Sequence, residues 1–187
     1  MKKELTVLIL LFVVSTIHGS ELLTNGDFEQ ALTTGWTFTD SGYGTKLADR
    51  AVDYHPDLDY EAHTYKYDNP GWARLGQTVD APSTSLELSF WAKFEHSGGT
   101  STCWPASCFS VCYRDGSGSL LGETRYVYST YANWTSSSTL HLVTVSAPGW
   151  TGYTLDIEQE LDQNLPGVDP DRVAKVEVAL FSFTNSG

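Results

Sequence analysis

Basic side chains are scarce in this sequence. Its 187 residues include 11 lysines and arginines against 23 aspartates and glutamates, which gives a formal net charge of −12 with histidine neutral. This surplus of negative charge argues against binding to nucleic acid or to anionic membranes, because both carry dense negative charge themselves. The charge is compatible with cations or with neutral ligands such as sugars.

Established catalytic motifs are absent as well. The sequence has no Gly-x-Ser-x-Gly turn, no His-Glu-x-x-His pair and no glycine loop that cradles phosphate. Acidic residues are so numerous that many pairs of them could be proposed as the two carboxylates of a glycoside hydrolase. Their abundance is therefore not evidence for catalysis. His141 lies between two leucines. This setting favours a position on the outer face of a sheet, or a role as a hydrogen-bonded partner, over a role as a catalytic base. The sequence therefore favours a protein that is not an enzyme.

Cysteine is limited to Cys103, Cys108 and Cys112. Three thiols at these spacings lack a clear fourth ligand, which argues against zinc. On one strand Cys108 and Cys112 would lie about 13 Å apart, too far for a disulfide. We therefore predict a disulfide between Cys103 and Cys108, with Cys103–Cys112 as the alternative, and one buried thiol.

One apolar run stands near the N-terminus. Two lysines precede Leu5–Val14, and small or polar residues follow as far as Gly19. This layout is typical of a secretory signal peptide, and the run is too short to span a bilayer comfortably. We expect residues 1–19 to be a signal peptide and residues 20–187 to be a single exported domain, secreted or at the cell surface, that does not insert into a membrane. The alternative is a retained N-terminal anchor.

The rest of the chain consists of short alternating segments between turn residues. The clearest is Leu86–Phe94, in which large apolar side chains occupy every second position. Only one helix is expected, at Glu158–Leu165. The predicted strands are Thr45–Val52, His63–Tyr67, Gly71–Val79, Leu86–Phe94, Cys108–Tyr113, Leu120–Tyr128, Leu140–Val145, Trp150–Ile157 and Val176–Phe183. With no internal repeat and no long linker, this series predicts an all-β sandwich with Greek-key connections.

The mature part opens on the stretch Leu22–Glu29, and Gly35-Trp36 follows. Asn25-Gly26-Asp27 can turn the backbone where a positive φ is tolerated, and Phe28 and Trp36 can then fill a core. This stretch predicts the first corner of the sandwich.

The run LLTNGDFE…GW resembles the opening of CenC-type, galactose-binding-like jelly-roll modules, the secreted carbohydrate-binding modules joined to many extracellular glycoside hydrolases. Ala73–Val79 and Leu86–Phe94 fit the same pattern, and the likeness reaches from Leu22 to Phe183. It implies an all-β jelly-roll β-sandwich and an adjacent catalytic or surface domain. It also implies that the closing strand is missing, because the chain stops at Thr184–Gly187 where such modules continue.

The resemblance further implies a structural calcium held by Asn25, Asp27 and Glu29. The alternative is that Asn25 and Asp27 only satisfy the backbone of the turn. A second calcium candidate is the acidic series in residues 53–63, for which a solvated loop and a catalytic site are the other interpretations.

Sugar binding requires flat aromatic faces for stacking and polar side chains for directional hydrogen bonds. The predicted ligand-binding residues are Tyr54, Tyr60, Trp72, Arg74, Trp104, Arg125, Tyr131 and Trp134. For each tryptophan the alternative is that it caps an end of the sandwich.

These features favour a secreted, non-catalytic carbohydrate-binding or cell-surface interaction module whose partner is a polysaccharide or a cell-surface glycan. One alternative is a small secreted glycoside hydrolase or lyase that uses Asp57, Asp59 or Glu61. Another is a structural or adhesive β-sandwich whose open edge pairs with another chain.

Overall fold

A computed structural model describes residues 7–10, 21–52, 59–146 and 149–185. The strands are β1 (Val7–Leu10), β2 (Thr37–Gly42), β3 (Thr45–Ala51), β4 (Glu61–Tyr67), β5 (Gly71–Asp80), β6 (Glu87–Phe94), β7 (Pro105–Arg114), β8 (Leu120–Tyr128), β9 (Leu140–Thr144), β10 (Thr151–Asp156) and β11 (Lys175–Thr184). The helix α1 spans Ile157–Asn164, and a 3₁₀ turn spans Pro170–Arg172.

These strands form two sheets that pack face to face. One sheet has the order β10-β6-β1-β4-β3, and the other has the order β2-β5-β11-β7-β8-β9. Paired strands are antiparallel except for β8 and β9, which run parallel. This arrangement is an all-β jelly-roll β-sandwich, so the predicted fold class is confirmed.

The core lies between the sheets, and β6 shows why. Leu88, Phe90, Ala92 and Phe94 are buried, whereas Trp91 between them is 45% exposed. The ring of Phe90 lies 4.1 Å from that of Phe109 on the opposite sheet. Since burying a side chain of this size contributes about 1.5–3 kcal/mol, the alternation predicted from the sequence fixes which face of β6 packs inward.

The predicted corner is built around Asn25. Asn25 and Phe28 both have positive φ values, and the rings of Phe28 and Trp36 pack with their centroids 4.9 Å apart. The indole Nε1 of Trp36 donates to the carbonyl of Asn25 over 2.9 Å, and the Asn25 Oδ1 accepts from the amide of Gln30 over 2.8 Å. The side chain and backbone of Asn25 therefore hold the turn and its aromatic plug together.

Most of the predicted elements lie within one or two residues of their observed bounds. The strand Leu120–Tyr128 agrees residue for residue, and the helix is displaced by one residue. The sequence did not predict β2, because all six of its residues are exposed and leave no alternation to read. As the end strand of its sheet, β2 pairs with β5 alone, so only one of its edges needs a partner.

The strand β1 falls within the predicted signal peptide. Val7–Leu10 pairs with β4 on one side and with β6 on the other. The remainder of the predicted signal peptide lies outside the described residues, and its processing stays a prediction. In the part of the chain that the structure describes, no helix is long and apolar enough to cross a membrane.

A buried polar network attaches α1 to the six-stranded sheet. Glu160 lies at its centre and accepts hydrogen bonds from Thr124 over 2.6 Å and from Asn164 over 2.7 Å. The His141 Nδ1 lies 2.6 Å from the Glu160 Oε1. His141 is therefore a hydrogen-bonded partner, one of the two positions expected for it.

Candidate functional site

The outer face of the six-stranded sheet collects side chains that the core does not use. Along β11, Val176, Val178 and Leu180 point inward and are buried. The period of two in a strand then places Glu177, Phe181 and Phe183 on the outer face, as it does Trp72 and Arg74 on β5. Arg114 on β7 and Glu123 and Arg125 on β8 share this face.

Five aromatic rings form a continuous cluster on this face. We call Trp72, Phe181, Phe183, Trp134 and Trp104 the aromatic ridge. Its ring centroids are 6.3 Å apart for Trp72 and Phe181 and 6.2 Å for Phe181 and Phe183. Trp134 lies 5.3 Å from Phe183 and 5.2 Å from Trp104. Four of the rings are partly exposed, so the ridge offers apolar surface to solvent.

Trp104 is the exception within the aromatic ridge, because only 4% of it is exposed. Its ring meets Trp134 edge to face, and its backbone amide donates to the side chain of Asn185. This burial makes Trp104 a support for Trp134 in the described structure, and a ligand contact at Trp104 stays a prediction.

Glu177 joins two arginines at one end of the face. Its Oε1 pairs with Arg74 Nη1, and its Oε2 accepts from Arg114 Nε over 2.7 Å. Glu177 is buried, whereas both arginines are partly exposed. Because the carboxylate is fixed from both sides, the two guanidinium groups are held in defined orientations and keep other N–H donors for a ligand.

Arg125 organises the other end of the face. Its Nε and Nη2 donate to the two oxygens of Glu123 over 2.7 and 2.8 Å, and Ser110 donates to the same carboxylate over 2.6 Å. The Arg125 Cζ lies 4.6 Å from the centroid of the Trp134 ring. Burial acts to lower the pKa of Arg125, but the hydrogen bond and charge of Glu123 outweigh it and the pKa is raised. This guanidinium therefore remains charged.

Cys108 and Cys112 lie buried on this face of β7, and all three cysteines are free thiols. The structure thus lacks the predicted Cys103–Cys108 disulfide, and the reason is where β7 begins. From Pro105 onward the chain is an extended strand. Cys108 is the fourth residue of that strand and is buried, whereas Cys103 precedes the strand and is partly exposed, so the two thiols occupy different surroundings. Burial also raises the pKa of both strand thiols, that of Cys112 to about 12.

A groove of about 380 Å³ runs beside the ridge at its β2 and β5 end. Its lining residues are Gly35, Thr37, Thr39, Arg74, Gly76, Gln77, Thr78 and Glu177. A Cβ at Gly76 would lie 3.1 Å from the Glu177 Oε1 and 3.3 Å from the Ala179 Cβ, so glycine leaves the floor of the groove open. The groove offers threonine hydroxyls, an amide, a carboxylate and a guanidinium within one concave space.

The eight predicted ligand-binding residues divide between several places. Trp72, Arg74, Trp104, Arg125 and Trp134 lie together on this outer face. Tyr131 is 43% exposed in the loop after β8, where a Cβ at Gly99 would lie 3.4 Å from its ring. Tyr60 packs under Arg50 at 3.9 Å beside the other sheet, and Tyr54 lies outside the described residues.

Glu177, Phe181 and Phe183 were not among the predicted site residues. The predicted strand Val176–Phe183 could have revealed them. In a strand, every second side chain points to the same face, so Phe181 and Phe183 lie on the same face as the charged Glu177.

The acids proposed for catalysis do not form a site among the described residues. Asp57 lies outside them, Asp59 is exposed and Glu61 is completely buried within β4. The interpretation of this series as a solvated loop is therefore wrong for Glu61, because β4 is an inner strand of its sheet.

The side chains predicted to hold calcium all contact protein groups. The Asn25 Nδ2 donates to the carbonyls of Gln30, Ala31 and Thr34. The Asp27 Oδ1 accepts from the amide of Glu29 over 3.3 Å, and the Glu29 Oε1 accepts from the amide of Tyr60 over 3.0 Å. Within the described ranges no group of three or more His, Cys, Asp or Glu side chains could hold a metal ion. Calcium at this corner stays a prediction.

No protein-family model matches the chain, and no curated protein matches it. Several solved structures are similar to it, and three of them serve as examples. The enzymatically active domain of tailspike protein 4 from bacteriophage CBA120 is 14% identical with a TM-score of 0.49, over 88% of this chain and 19% of that one. The family 11 carbohydrate-binding module of the Clostridium thermocellum cellulase Lic26A-Cel5E is 16% identical with a TM-score of 0.41. The match covers 91% of this chain and 94% of that module. A Clostridium thermocellum family 11 carbohydrate-binding module in complex with a β-1,3-1,4-mixed-linked tetrasaccharide is 15% identical with a TM-score of 0.40. The match covers 84% of this chain and 90% of that module.

Proposed function

We propose that this protein is a non-catalytic carbohydrate-binding module that holds a polysaccharide along the outer face of its six-stranded sheet. One observation carries the proposal: aromatic rings, fixed guanidinium groups and a polar groove share a single face. Trp72, Phe181 and Trp134 supply the rings, and Arg74 and Arg125 supply the guanidinium groups.

The chemistry of this face matches that of a sugar polymer. The axial C–H bonds of a pyranose form an apolar patch that can stack on Trp72, while its hydroxyls can accept from Arg74 and donate to Glu177. The groove of about 380 Å³ adjoins both residues and adds the hydroxyls of Thr37 and Thr39. A chain of sugar units can thus lie in the groove and continue along the aromatic ridge.

The polar groups of this face are already oriented. Glu123 and Glu177 each accept hydrogen bonds from arginine, so the arginine side chains are not free to rotate. A ligand that binds here avoids much of the entropy loss of ordering flexible side chains. The same contacts make both carboxylates fixed acceptors, which suits binding better than proton transfer to a glycosidic oxygen.

The proposal also includes export of the protein from the cell. If residues 1–19 are a signal peptide, the module acts outside the cell, where polysaccharides are accessible. There it would keep an adjacent catalytic or surface domain close to its polymer.

The decisive experiment compares two tryptophans on opposite faces of the sandwich. Trp72→Ala removes one end of the aromatic ridge, and Trp91→Ala removes an exposed ring from the outer face of the other sheet. Isothermal titration and tryptophan fluorescence are recorded for the full chain and both variants with neutral glucans, xylans, mannans and uronic acid polymers. We expect saturable binding to one class, a loss of about tenfold or more for Trp72→Ala, and little change for Trp91→Ala.

Equal losses for the two variants would contradict the proposal, as would no binding to any polymer of the panel. Release of reducing ends from the bound polymer would contradict the non-catalytic part alone. Circular dichroism spectra of both variants check that each retains its sheet structure.

A further inference from the structure

A charge imbalance lies at one end of the outer face of the six-stranded sheet. Arg74 and Arg114 both pair with Glu177, one on each oxygen of its carboxylate. We call these three residues the arginine cluster. An arginine keeps its proton in proteins, so two guanidinium groups and one carboxylate leave a surplus of one positive charge. The surplus is local, because the formal net charge of the whole chain is −12.

Two other cations of this face are each matched by one acid. Arg125 pairs with Glu123 over 2.7 Å, and Lys175 pairs with Asp80 over 2.6 Å. Lys175 and Asp80 are in register on β11 and β5, two positions from Glu177 on the same face. Because neither of these pairs has a net charge, the positive surplus on the described part of the face lies in the arginine cluster.

Arg74 is the member of the arginine cluster that presents the surplus charge to the groove. Arg114 also donates to the carbonyl of Gly118 over 2.9 Å, which fixes it against the hairpin after β7. Arg74 lines the groove with Glu177. The Nη2 of Arg74 lies 3.5 Å from the Sγ of Cys112, and burial raises the pKa of that thiol to about 12. The thiol is therefore neutral and does not balance the guanidinium.

The other described residues of the groove lining carry no charge. They are Gly35, Thr37, Thr39, Gly76, Gln77 and Thr78. A guanidinium has five N–H donors, and the contacts of Arg74 with Glu177 and Cys112 use two of them. Its planar fork suits the two oxygens of a carboxylate better than it suits a neutral hydroxyl, and the hydrogen bonds to a charged acceptor are stronger. The groove thus has a place for one anionic group.

The rest of the molecule limits how much negative charge the ligand carries. A polymer with an acid on every sugar would be repelled by a chain of net charge −12. We propose that the protein selects an otherwise neutral polysaccharide with isolated acidic sugars, and that Arg74 binds the carboxylate of one such sugar in the groove. This inference rests on the proposed function and names the ligand class of the same face.

The aromatic ridge beside the groove suits the neutral part of such a polymer. Trp72 lies two residues before Arg74 on β5, so the two side chains are about 7 Å apart on the same face. The ring of Trp72 continues to that of Phe181 at 6.3 Å. With its carboxylate on Arg74, the acidic sugar places the next sugars of the chain beside these rings, where uncharged pyranose faces can stack.

The test uses pairs of polymers that differ only in charge. Glucuronoxylan, a glucuronate-bearing arabinogalactan and xanthan are titrated calorimetrically into the full chain. Each polymer is used as isolated and again after chemical reduction of its carboxylates to hydroxymethyl groups. Polygalacturonate serves as the polymer with an acid on every sugar. The quantity compared is the ratio of the affinities for the carboxylated and the reduced form.

We expect at least one carboxylated polymer to bind about tenfold more tightly than its reduced form, and polygalacturonate to bind more weakly than that polymer. Arg74→Gln should bring the affinity ratio close to one. Lys175→Gln is the matched control, because it removes one positive charge from the same face outside the groove, and it should leave the ratio unchanged. A merely structural role of Arg74 would lower both affinities and keep their ratio.

Saturable binding with a ratio of one for every polymer pair overturns this inference and leaves the proposed function standing. No binding of any polymer, carboxylated or reduced, overturns both. Tightest binding of polygalacturonate overturns the choice of isolated acidic sugars. An unchanged ratio in Arg74→Gln, or an equal fall in Lys175→Gln, overturns the role of Arg74. If Arg74→Gln does not fold, the polymer pairs measured with the parent chain still decide the ligand class.

Discussion

The guanidinium carbon of Arg125 lies 4.6 Å above the ring of Trp134 while its N–H groups hold both oxygens of Glu123. One side chain thus joins the aromatic ridge to the polar part of the same face. The ring is kept in position by the cation above it, and the cation is kept in position by the carboxylate.

Arg125→Met should destabilise the protein and weaken glycan binding. The variant leaves Glu123 without its bidentate partner, and the expected loss is about 2–3 kcal/mol in the free energy of unfolding, measured by urea denaturation. Replacing Glu123 by Gln in the same chain removes the unpaired charge and should recover part of that stability, but not the glycan affinity. A double variant no more stable than Arg125→Met would contradict this account of the pair.

The strand thiols should be inert in the folded protein. Burial raises the pKa of Cys108 and Cys112, so neither thiol ionises at neutral pH or meets a reagent in solution. With dithionitrobenzoate at pH 8 we expect only Cys103, which is partly exposed, to react before unfolding. A denatured and unreduced sample should then release three thiols; one thiol would instead support the disulfide predicted from the sequence.

Stability should fall in alkaline solution. Burial raises the pKa of Tyr126 to about 12 and also raises those of Tyr113 and Tyr153. Since an unfolded tyrosine ionises near pH 10, the unfolded state loses its proton first, and stability present below about pH 10 is lost as the pH rises toward 12. Urea midpoints measured from pH 8 to 12 should show this decline.

Tyr126→Phe supplies the control for this pH dependence. The variant removes one buried phenol that would have to ionise, so its midpoint should fall less steeply with pH than that of the parent. Identical slopes for the two proteins would show that Tyr126 does not contribute.

Gly76→Ala should weaken glycan binding more than it changes stability. The added methyl would meet the Glu177 Oε1 at 3.1 Å and would raise the floor of the groove. Gly116→Ala is the matched control, because a Cβ there meets only the Ala174 Cβ, at 4.0 Å. Calorimetric titration with the polymer that binds the parent chain should give an affinity loss for Gly76→Ala alone. A similar loss for both variants would remove the groove from the site.

Alternation in the sequence was sufficient to predict most of the sandwich. Buried and more exposed residues alternate along β6 and along β8 from Gly122 to Tyr126, and the hydrophobic effect allows only one face of such a strand to point inward. The corner at Asn25 could be predicted for the same local reason, since its turn and its aromatic plug are close in sequence. The exposed strand β2 could not be predicted, because it depends on a neighbour far along the chain.

The candidate site was only partly visible in the sequence. Trp72, Arg74, Arg125 and Trp134 could be selected one by one as suitable for sugars, but nothing local showed that they share a face. Phe183 and Trp134 come from distant parts of the chain, and their rings meet only because β11 lies next to β7 and β7 next to β8.

The sequence by itself thus determined the fold class, the bounds of most strands and the residue types suited to a sugar, because alternation and turn chemistry act between near neighbours. The tertiary structure alone decided which side chains gather on one face, that Trp104 is buried, that the thiols are free and that β1 lies between β4 and β6. These features depend on strand order, which is set by the packing of residues far apart in the chain.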